Sequence, residues 1–336
     1  MKNTYQLILS ILSFFLFLSS TVKAQKIIIL QQGKSTSIRG LSVVNDKIAW
    51  VSGSNGYVAI TNDSGKTWAW QQIKGYEKSE FRDIEAFSNK EAVIMSSGTP
   101  SLILKTTDGG KSWQQKFIKA DSSYFLDAMG FVDKQHGYIL GDPINNKFLL
   151  LETRNGGETW DEIKNSPKAH PGEAAFAASG TCLEIDDHGV ISIVTGGKVS
   201  RLITKQGDNG EWKYDNLDMA HGKSSQGAFS IACGVIVGGD YANDKKTDSV
   251  ITIYTNHPYA HFYSPKSGPA GYQSCVTYVE SKKILSTGTS GSNISFDGCS
   301  TWQQIDTTSF NVCGKAKRGK LILLAGDKGK IGILEM

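Results

Sequence analysis

The chain is short of cysteine, proline, arginine and runs of like charge, and each shortage closes off a class of protein. Its 336 residues include five cysteines, an odd count too small for a disulfide framework. Cys182, Cys233, Cys275 and Cys313 lie among small or apolar neighbours, where a thiol serves as a small core hydrophobe, and a Cys275–Cys313 bridge is left open. Seven prolines argue against linkers. Charged residues are 20% of the chain and the net charge is only +4, with no Lys/Arg run, so no nucleic-acid partner is expected.

Cofactor and metal motifs are missing as well. No G-x-G-x-x-G opens a helix and no Cys pair has C-x-x-C spacing. Gly65-Lys66-Thr67 and Gly110-Lys111-Ser112 end like phosphate loops, but Ile60 and Lys105 stand where the first glycine is required. His257 and His261 are the only close His pair, and Pro258 argues against the helix that would put both on one face. Neither cofactor nor metal is expected.

Only one long apolar run is present, Leu7 to Leu18, after the cationic start at Lys2 and before Val22-Lys23-Ala24. At about 12 residues it is too short for a bilayer span, which needs about 20, and it reads as a secretory signal peptide over residues 1–24, cleaved near Ala24. Cleavage removes Lys2 and Lys23 and no acid, so the net charge falls from +4 to +2. No Cys follows the site to carry a lipid anchor there. The expected location is periplasmic or extracellular.

What is plentiful is glycine: 36, where average usage of roughly 7% gives about 24. The excess belongs to a repeat. Thr61-Asn62-Asp63-Ser64-Gly65-Lys66-Thr67-Trp68 recurs as Thr106 to Trp113 around Asp108, as Thr153 to Trp160 around Asn155, and as Ser295 to Trp302 around Asp297. A degenerate copy runs from Gly207 to Trp212. In each full copy the Asp or Asn accepts N–H groups of its own turn, Gly supplies positive φ, and the Trp (Trp68, Trp113, Trp160, Trp302) packs between sheets. These are Asp-boxes.

A second phase runs with the first. Ile38, Phe81, Phe125, Phe176, Phe229, Tyr272 and Phe310 each open a short strand, at intervals of 38 to 53 residues. In the first unit, residues 41–44, 48–52, 57–61 and 67–72 read as four strands, and nothing beyond the leader has a helical apolar stripe. Seven four-stranded units predict an all-β, seven-bladed β-propeller occupying residues 25–336 as a single domain, about 45 residues per blade. An orphan strand, Lys26 to Leu30, is expected to complete the last blade and close the ring.

The Asp-boxes are similar to those of BNR-repeat propellers, a set that includes sialidases. The blade openings are more specific: Arg39-Gly40-Leu41-Ser42-Val43-Val44, Phe81-Arg82-Asp83-Ile84, Gly141-Asp142-Pro143, the run Gly172 to Thr181 (GEAAFAASGT), and Val237-Gly238-Gly239-Asp240-Tyr241. Together they resemble the exported bacterial proteins related to the photosystem II stability/assembly factor, across residues 26–336. The resemblance implies a protein-binding propeller without established catalytic activity, although such relatives are often labelled oxidoreductase or glycosyl hydrolase.

The candidate site is the polar set at the blade openings: Arg39, Arg82, Asp83, Asp127, Asp142, Glu173, Asp240 and Gln273. Arg39 and Arg82 are read as equivalent in the first two blades, and Asp83 and Asp127 as equivalent in the second and third. Two accounts stand: an inter-blade salt-bridge ring, or a charged recognition surface at the channel mouth, where arginine favours a carboxylate. A sialidase needs three arginines, a Tyr–Glu pair and an acid. Only five arginines are present, and Arg154 and Arg318 lie in an Asp-box and a hairpin. The expected function is therefore a monomeric, exported propeller that binds a protein partner in the cell envelope. A glycoside hydrolase is the first alternative, and an oxidoreductase the second.

Overall fold

Alternating apolar runs and glycine-rich turns build seven antiparallel sheets in the computed structural model, which describes residues 25–207, 210–255 and 261–335. The expected leader and its cleavage site, Asp208 and Asn209 of the degenerate box, and His257 to Ala260 lie outside the described residues. Blade 1 runs through Ile38–Val43, Ala49–Gly53, Tyr57–Thr61 and Ala69–Gln72. Blade 2 begins at Glu80–Ala86, blade 3 at Leu126–Phe131, blade 4 at Leu183–Ile185, blade 5 at Gln226–Ala232 and blade 6 at Cys275–Glu280. Blade 7 starts at Val312–Lys315, and its outermost strand is Lys26–Gln31, paired antiparallel with Lys330–Glu335. Each innermost strand packs on those of both neighbouring blades, blade 7 on blade 1 included, so the ring closes. The chain is a seven-bladed β-propeller, as its repeat requires.

Burial follows composition within a blade. The middle strands of blade 2, Ala92–Ser97 (AVIMSS) and Ser101–Thr106 (SLILKT), are buried throughout, whereas the outer Gln114–Lys119 (QQKFIK) is largely exposed. Among the described residues the only helical turns are Tyr241–Asn243 and Asp327–Gly329, and no helix is long and apolar enough to cross a membrane.

The Asp-box works as a closed set of local hydrogen bonds. Asp63 accepts from Thr67 N at 2.9 Å and Thr67 Oγ1 at 2.6 Å, Thr61 Oγ1 donates to Asp63 Oδ1, and Gly65 N donates back to Thr61 Oγ1. Asp108 repeats this with Ser112 and Thr106, and Asp297 with Thr301 and Ser295. In the third box Asn155 turns its amide into a donor toward Thr159 Oγ1. Each box Trp packs on the preceding blade: Trp113 meets Trp50 edge-on at 6.3 Å, and Trp160 joins the Val93, Met95 and Ile103 cluster. Blade 5 has no such Trp, and a groove of about 620 Å³ opens between blades 4 and 5.

Hydrogen bonds from the turn hold the Asp63 and Asp108 carboxyls down at about 2. A carboxyl depressed from its unfolded value near 3.9 contributes stability that is present above that value and lost as pH falls toward 2. Urea midpoints of the wild type should therefore drop between pH 4 and 2. Asp63→Asn should flatten that drop, whereas Asp63→Ala should lower the midpoint at every pH; an unaltered pH profile in Asp63→Asn would assign the acid sensitivity elsewhere.

The structure answers one question that the sequence left open, the Cys275–Cys313 pairing, and differs from one expectation, the burial of Cys233. All five thiols are free; Cys275 Sγ donates to the Cys313 carbonyl at 3.2 Å instead of bridging to its sulfur. Cys233 is exposed, not core: it sits at a hairpin tip with φ of 45°, where a side chain faces solvent.

Candidate functional site

β-Bulges set the site. The innermost strand of blade 1 slips by one residue between Ile38 and Gly40, that of blade 2 between Phe81 and Asp83, and that of blade 3 between Leu126 and Ala128. In blade 5 the slip falls between Ala228 and Ser230. The residues left over are Arg39, Arg82, Asp127 and Phe229. A bulge re-aims its extra side chain, and here all four line one cavity of about 470 Å³ at the channel mouth. The structural equivalent of Arg82 in blade 3 is therefore Asp127. Pairing Asp127 with Asp83 was off by one, because the residue that opens blade 3 in register is Leu126 and not Phe125.

A strap from the blade 3 to blade 4 connection lies across this mouth. Glu173–Ala174 pairs with Gly196–Gly197, and Gly196 with Gly227, extending blade 5 to six strands. A Cβ on Gly196 would stand 2.4 Å from the Phe176 ring and 2.5 Å from Gly227 Cα, so only glycine lets these backbones meet. Beyond it, Ala178 O accepts from Arg39 Nη1 at 3.0 Å and Ala177 O from Arg82 Nη1 at 3.4 Å. Ala175 N donates to Asp142 Oδ1 at 3.1 Å, and Ser179 Oγ to Ser274 O at 2.7 Å. The run of small residues is what permits this passage: Ala177, Ala178 and Ser179 are all buried.

The strap also brings Phe176 flat onto Phe229, with centroids 3.8 Å apart at 11°. Tyr272 meets Phe229 edge-on at 4.9 Å, and Tyr241 at 6.1 Å. One wall of the cavity is thus aromatic and the other charged. Phe176, Phe229 and Tyr272 are visible in the sequence as blade openers, but nothing there marks them as one wall; Phe125 lines the cavity apart from them, its ring 6.0 Å from the Arg82 guanidinium. Their shared phase was the available signal.

Burial raises the Asp127 carboxyl well above its ordinary value, Asp142 adds to the shift, and Arg82 opposes it. The Ala177 N–H is the only donor directed at Asp127 among the described residues, and neither carboxyl oxygen closes a hydrogen bond of normal geometry with it. Burial also lifts Asp142, to about 6, against the Ala175 N–H. Arg82 is pulled down by burial and by Arg39, and its buried Nε has no partner.

The other four candidates stand behind the cavity. Asp83 accepts from Met129 N at 2.7 Å, stapling blade 2 to blade 3. Glu173 is buried in a bidentate pair with Arg201, at 2.8 Å to Nε and 2.6 Å to Nη2. Asp240 accepts from Gln226 Nε2 and Ala242 N, capping the turn that carries Tyr241. Gln273 donates to Gly271 O, Tyr272 O and Ser290 Oγ, fixing the Tyr272 loop. No third arginine lines the cavity: Arg201 is held by Glu173, and Arg154 pairs with Glu152 at 2.6 Å. No glutamate lines it either. Among the described residues no group of three or more His, Cys, Asp or Glu is placed to hold a metal.

Known proteins can now be set beside this geometry. Residues 26–122 match the family described as photosynthesis system II assembly factor YCF48. The chain is 26% identical over 125 residues to the photosystem II assembly lipoprotein Ycf48 of Synechococcus sp. (strain CC9902), a match covering 36% of this chain and 35% of that one. It is 35% identical over 83 residues to the photosystem II stability/assembly factor HCF136, chloroplastic, of Arabidopsis thaliana, covering 24% and 19%. The chain thus matches about a third or less of these relatives' lengths. In structure, YCF48 bound to D1 peptide superposes with a TM-score of 0.66 at 16% identity over 94% of this chain and 98% of that one. YCF48 from Cyanidioschyzon merolae gives 0.65 at 14% over 92% and 98%. The chain is a seven-bladed propeller that resembles the photosystem II stability/assembly factors, in sequence through its closing strand and first two blades and in fold throughout.

Proposed function

We propose that this protein is an exported, monomeric, non-catalytic propeller that binds a partner protein in the cell envelope and assists its assembly or stability. The observation that carries the reading is the cavity at Arg39 and Arg82. Each guanidinium gives one Nη donor to the strap, and Arg39 has no ion pair among the described residues. Donors left over in a half-enclosed cavity favour an acidic group of the partner, because a guanidinium presents several N–H groups in one plane to a carboxylate. The solved YCF48 structure with a D1 peptide supports a polypeptide as the class of partner. No cofactor is assigned.

A second reading rests on Asp127 and Asp142 sharing a cavity with two arginines. Paired carboxylates are the machinery of glycosidases. Against it stand the missing third arginine and the absence of a glutamate from the lining.

Affinity capture from envelope extract, with mass-spectrometric identification, separates the two. An Arg39→Gln/Arg82→Gln double variant should lose the partner retained by the wild type at least tenfold while keeping its circular dichroism. Equal capture by both proteins would refute the cavity as the binding site. Turnover of sialosides or other glycosides, abolished by Asp142→Asn, would establish the hydrolase instead.

A further inference from the structure

The mouth is not the only cavity that the ring leaves open. On blade 1 the row of side chains that meets the next blade is apolar: Trp50 pairs with Ile60 across adjacent strands, and Trp113 of blade 2 packs edge-on to Trp50. Blade 5 brings no Trp, and the row that blade 4 turns toward it is polar. Glu184, Ser192, Thr204 and Lys213 are partners in register across the four strands of blade 4. All four line the groove of about 620 Å³, with Ile231 and Tyr254 of blade 5 in the opposite wall.

These groups are open to a ligand. Ser192 and Thr204 are half-buried and Lys213 is exposed. Among the described residues neither hydroxyl makes a hydrogen bond and Lys213 makes no ion pair. Glu184 is half-buried and accepts from Cys233 N at 2.7 Å through one oxygen. Asp215 stands two residues beyond Lys213 on the same strand, and so on the same face. Burial and then the Asp215 carboxylate push the Tyr254 phenol up, which sets these two across the groove from each other.

The lining restricts what fits. An anion would face Glu184, Asp186, Glu211 and Asp215, and a cation would meet Lys213. Asp186 is in addition already engaged by His188 N and Val190 N of its own turn. An added peptide strand needs a sheet edge, whereas this wall is the face of a sheet and offers side chains in place of a backbone ladder. A neutral molecule with many hydroxyls meets the whole row, because each hydroxyl both donates to a carboxylate and accepts from an ammonium or another hydroxyl. The row repeats at the strand separation of about 4.8 Å, so its polar groups address an extended ligand at regular steps. The Tyr254 ring supplies the apolar face on which the C–H side of a sugar ring lies, and the volume is that of a small-ligand site.

We infer that the groove between blades 4 and 5 is a saccharide-binding site: a short, uncharged oligosaccharide lies along Glu184, Ser192, Thr204 and Lys213, with one ring on Tyr254 and a hydroxyl on Asp215. The site is separate from the mouth and uses none of its residues.

Titration calorimetry of the full chain with neutral trisaccharides tests this, the probes being cellotriose, maltotriose, xylotriose, mannotriose and triacetylchitotriose. At least one should bind with a Kd of about 1 mM or tighter. Thr204→Val and Asp215→Asn, both at half-buried positions, should each weaken that probe about fivefold or more with circular dichroism unchanged. Absence of binding by every probe at about 10 mM overturns the inference. Binding that both variants leave unchanged also overturns it, since the sugar then lies elsewhere on the ring. Spermidine is the control for charge: if it binds and no saccharide does, the groove takes cations and the neutral ligand is refuted.

Discussion

Glu173→Gln is expected to lower folding stability by about 3–5 kcal/mol, since it leaves the Arg201 charge buried without its counter-ion. Both side chains are almost wholly removed from solvent, at 0% and 6% exposed, and the pair is bidentate. Around it, Thr195 Oγ1 and His170 N also donate to Glu173, Arg201 Nη2 donates to Lys168 O, and the guanidinium lies 4.9 Å over the Tyr214 ring. Glu173→Gln keeps one acceptor oxygen for these donors and leaves Arg201 its bond to Lys168 O and its place over Tyr214, so what it removes is the counter-charge. Removing both charges leaves neither unbalanced: Glu173→Leu/Arg201→Met replaces two charges by packing of similar volume, and should cost clearly less than the single change. Urea denaturation of the two variants at pH 7 gives the comparison. A double variant as unstable as the single would mean that the hydrogen bonds to the strap, and not the charge balance, carry the effect. Because Glu173 begins the strap that accepts from Arg39 and Arg82, the single variant should also weaken capture of the proposed partner.

How much of this was legible in the sequence depends on how local each feature is. The Asp-box keeps its bonding atoms within eight residues, so Asp63 with Thr61 and Thr67 can be read directly, and the phased repeat leads to the blade count. The closing strand was legible because Lys26 to Leu30 had no other strand left to pair with. The strap was not. Its hydrogen bonds join Ala178 to Arg39 and Ser179 to Ser274, separations of 139 and 95 residues. Phe176 shares the phase of the blade openers, yet the blade 4 strand starts only at Leu183, and Phe176 was taken up by the cavity wall.

The site was half legible for a similar reason. Arg39 and Arg82 stood out as charges at equivalent openings, and both line the cavity. Asp127 and Asp142 line it too, but Asp83, Glu173, Asp240 and Gln273 turn away to hold the blades, the strap and the two tyrosine loops. One-residue bulges decide which member of a neighbouring pair faces the channel. A bulge has no sequence signature of its own, so Arg82 and Asp83 look alike until the strand register is known.

Ile27→Asp should release the outermost strand of blade 7 and cost about 3–5 kcal/mol, combining lost core packing with a carboxylate that has no partner. Ile27 is 6% exposed and belongs to the apolar cluster of Phe310, Ile331 and Leu334. Its packing is close: a Cβ on Gly332 would lie 3.1 Å from both Ile27 Cγ2 and Phe310 Cζ. The strand that carries it is held by one ladder, Lys26 to Gln31 against Glu335 to Ile331, with a slip after Ile29. Loss of that strand exposes the edge of Lys330–Glu335 and removes Leu30 from the Asp-box Gly65 and Trp68 of blade 1, so the damage reaches the blade across the closure. Ile29→Asp is the control: Ile29 is 38% exposed on the same strand, and its change should stay within about 0.5 kcal/mol. Urea midpoints and gel-filtration profiles of the two variants should differ accordingly, Ile27→Asp unfolding early and forming larger species through its open edge. Equal midpoints would show that the innermost strands, packed on one another all round the ring, hold the propeller without the outermost strand of blade 7, and that Lys26–Gln31 is an accessory strand.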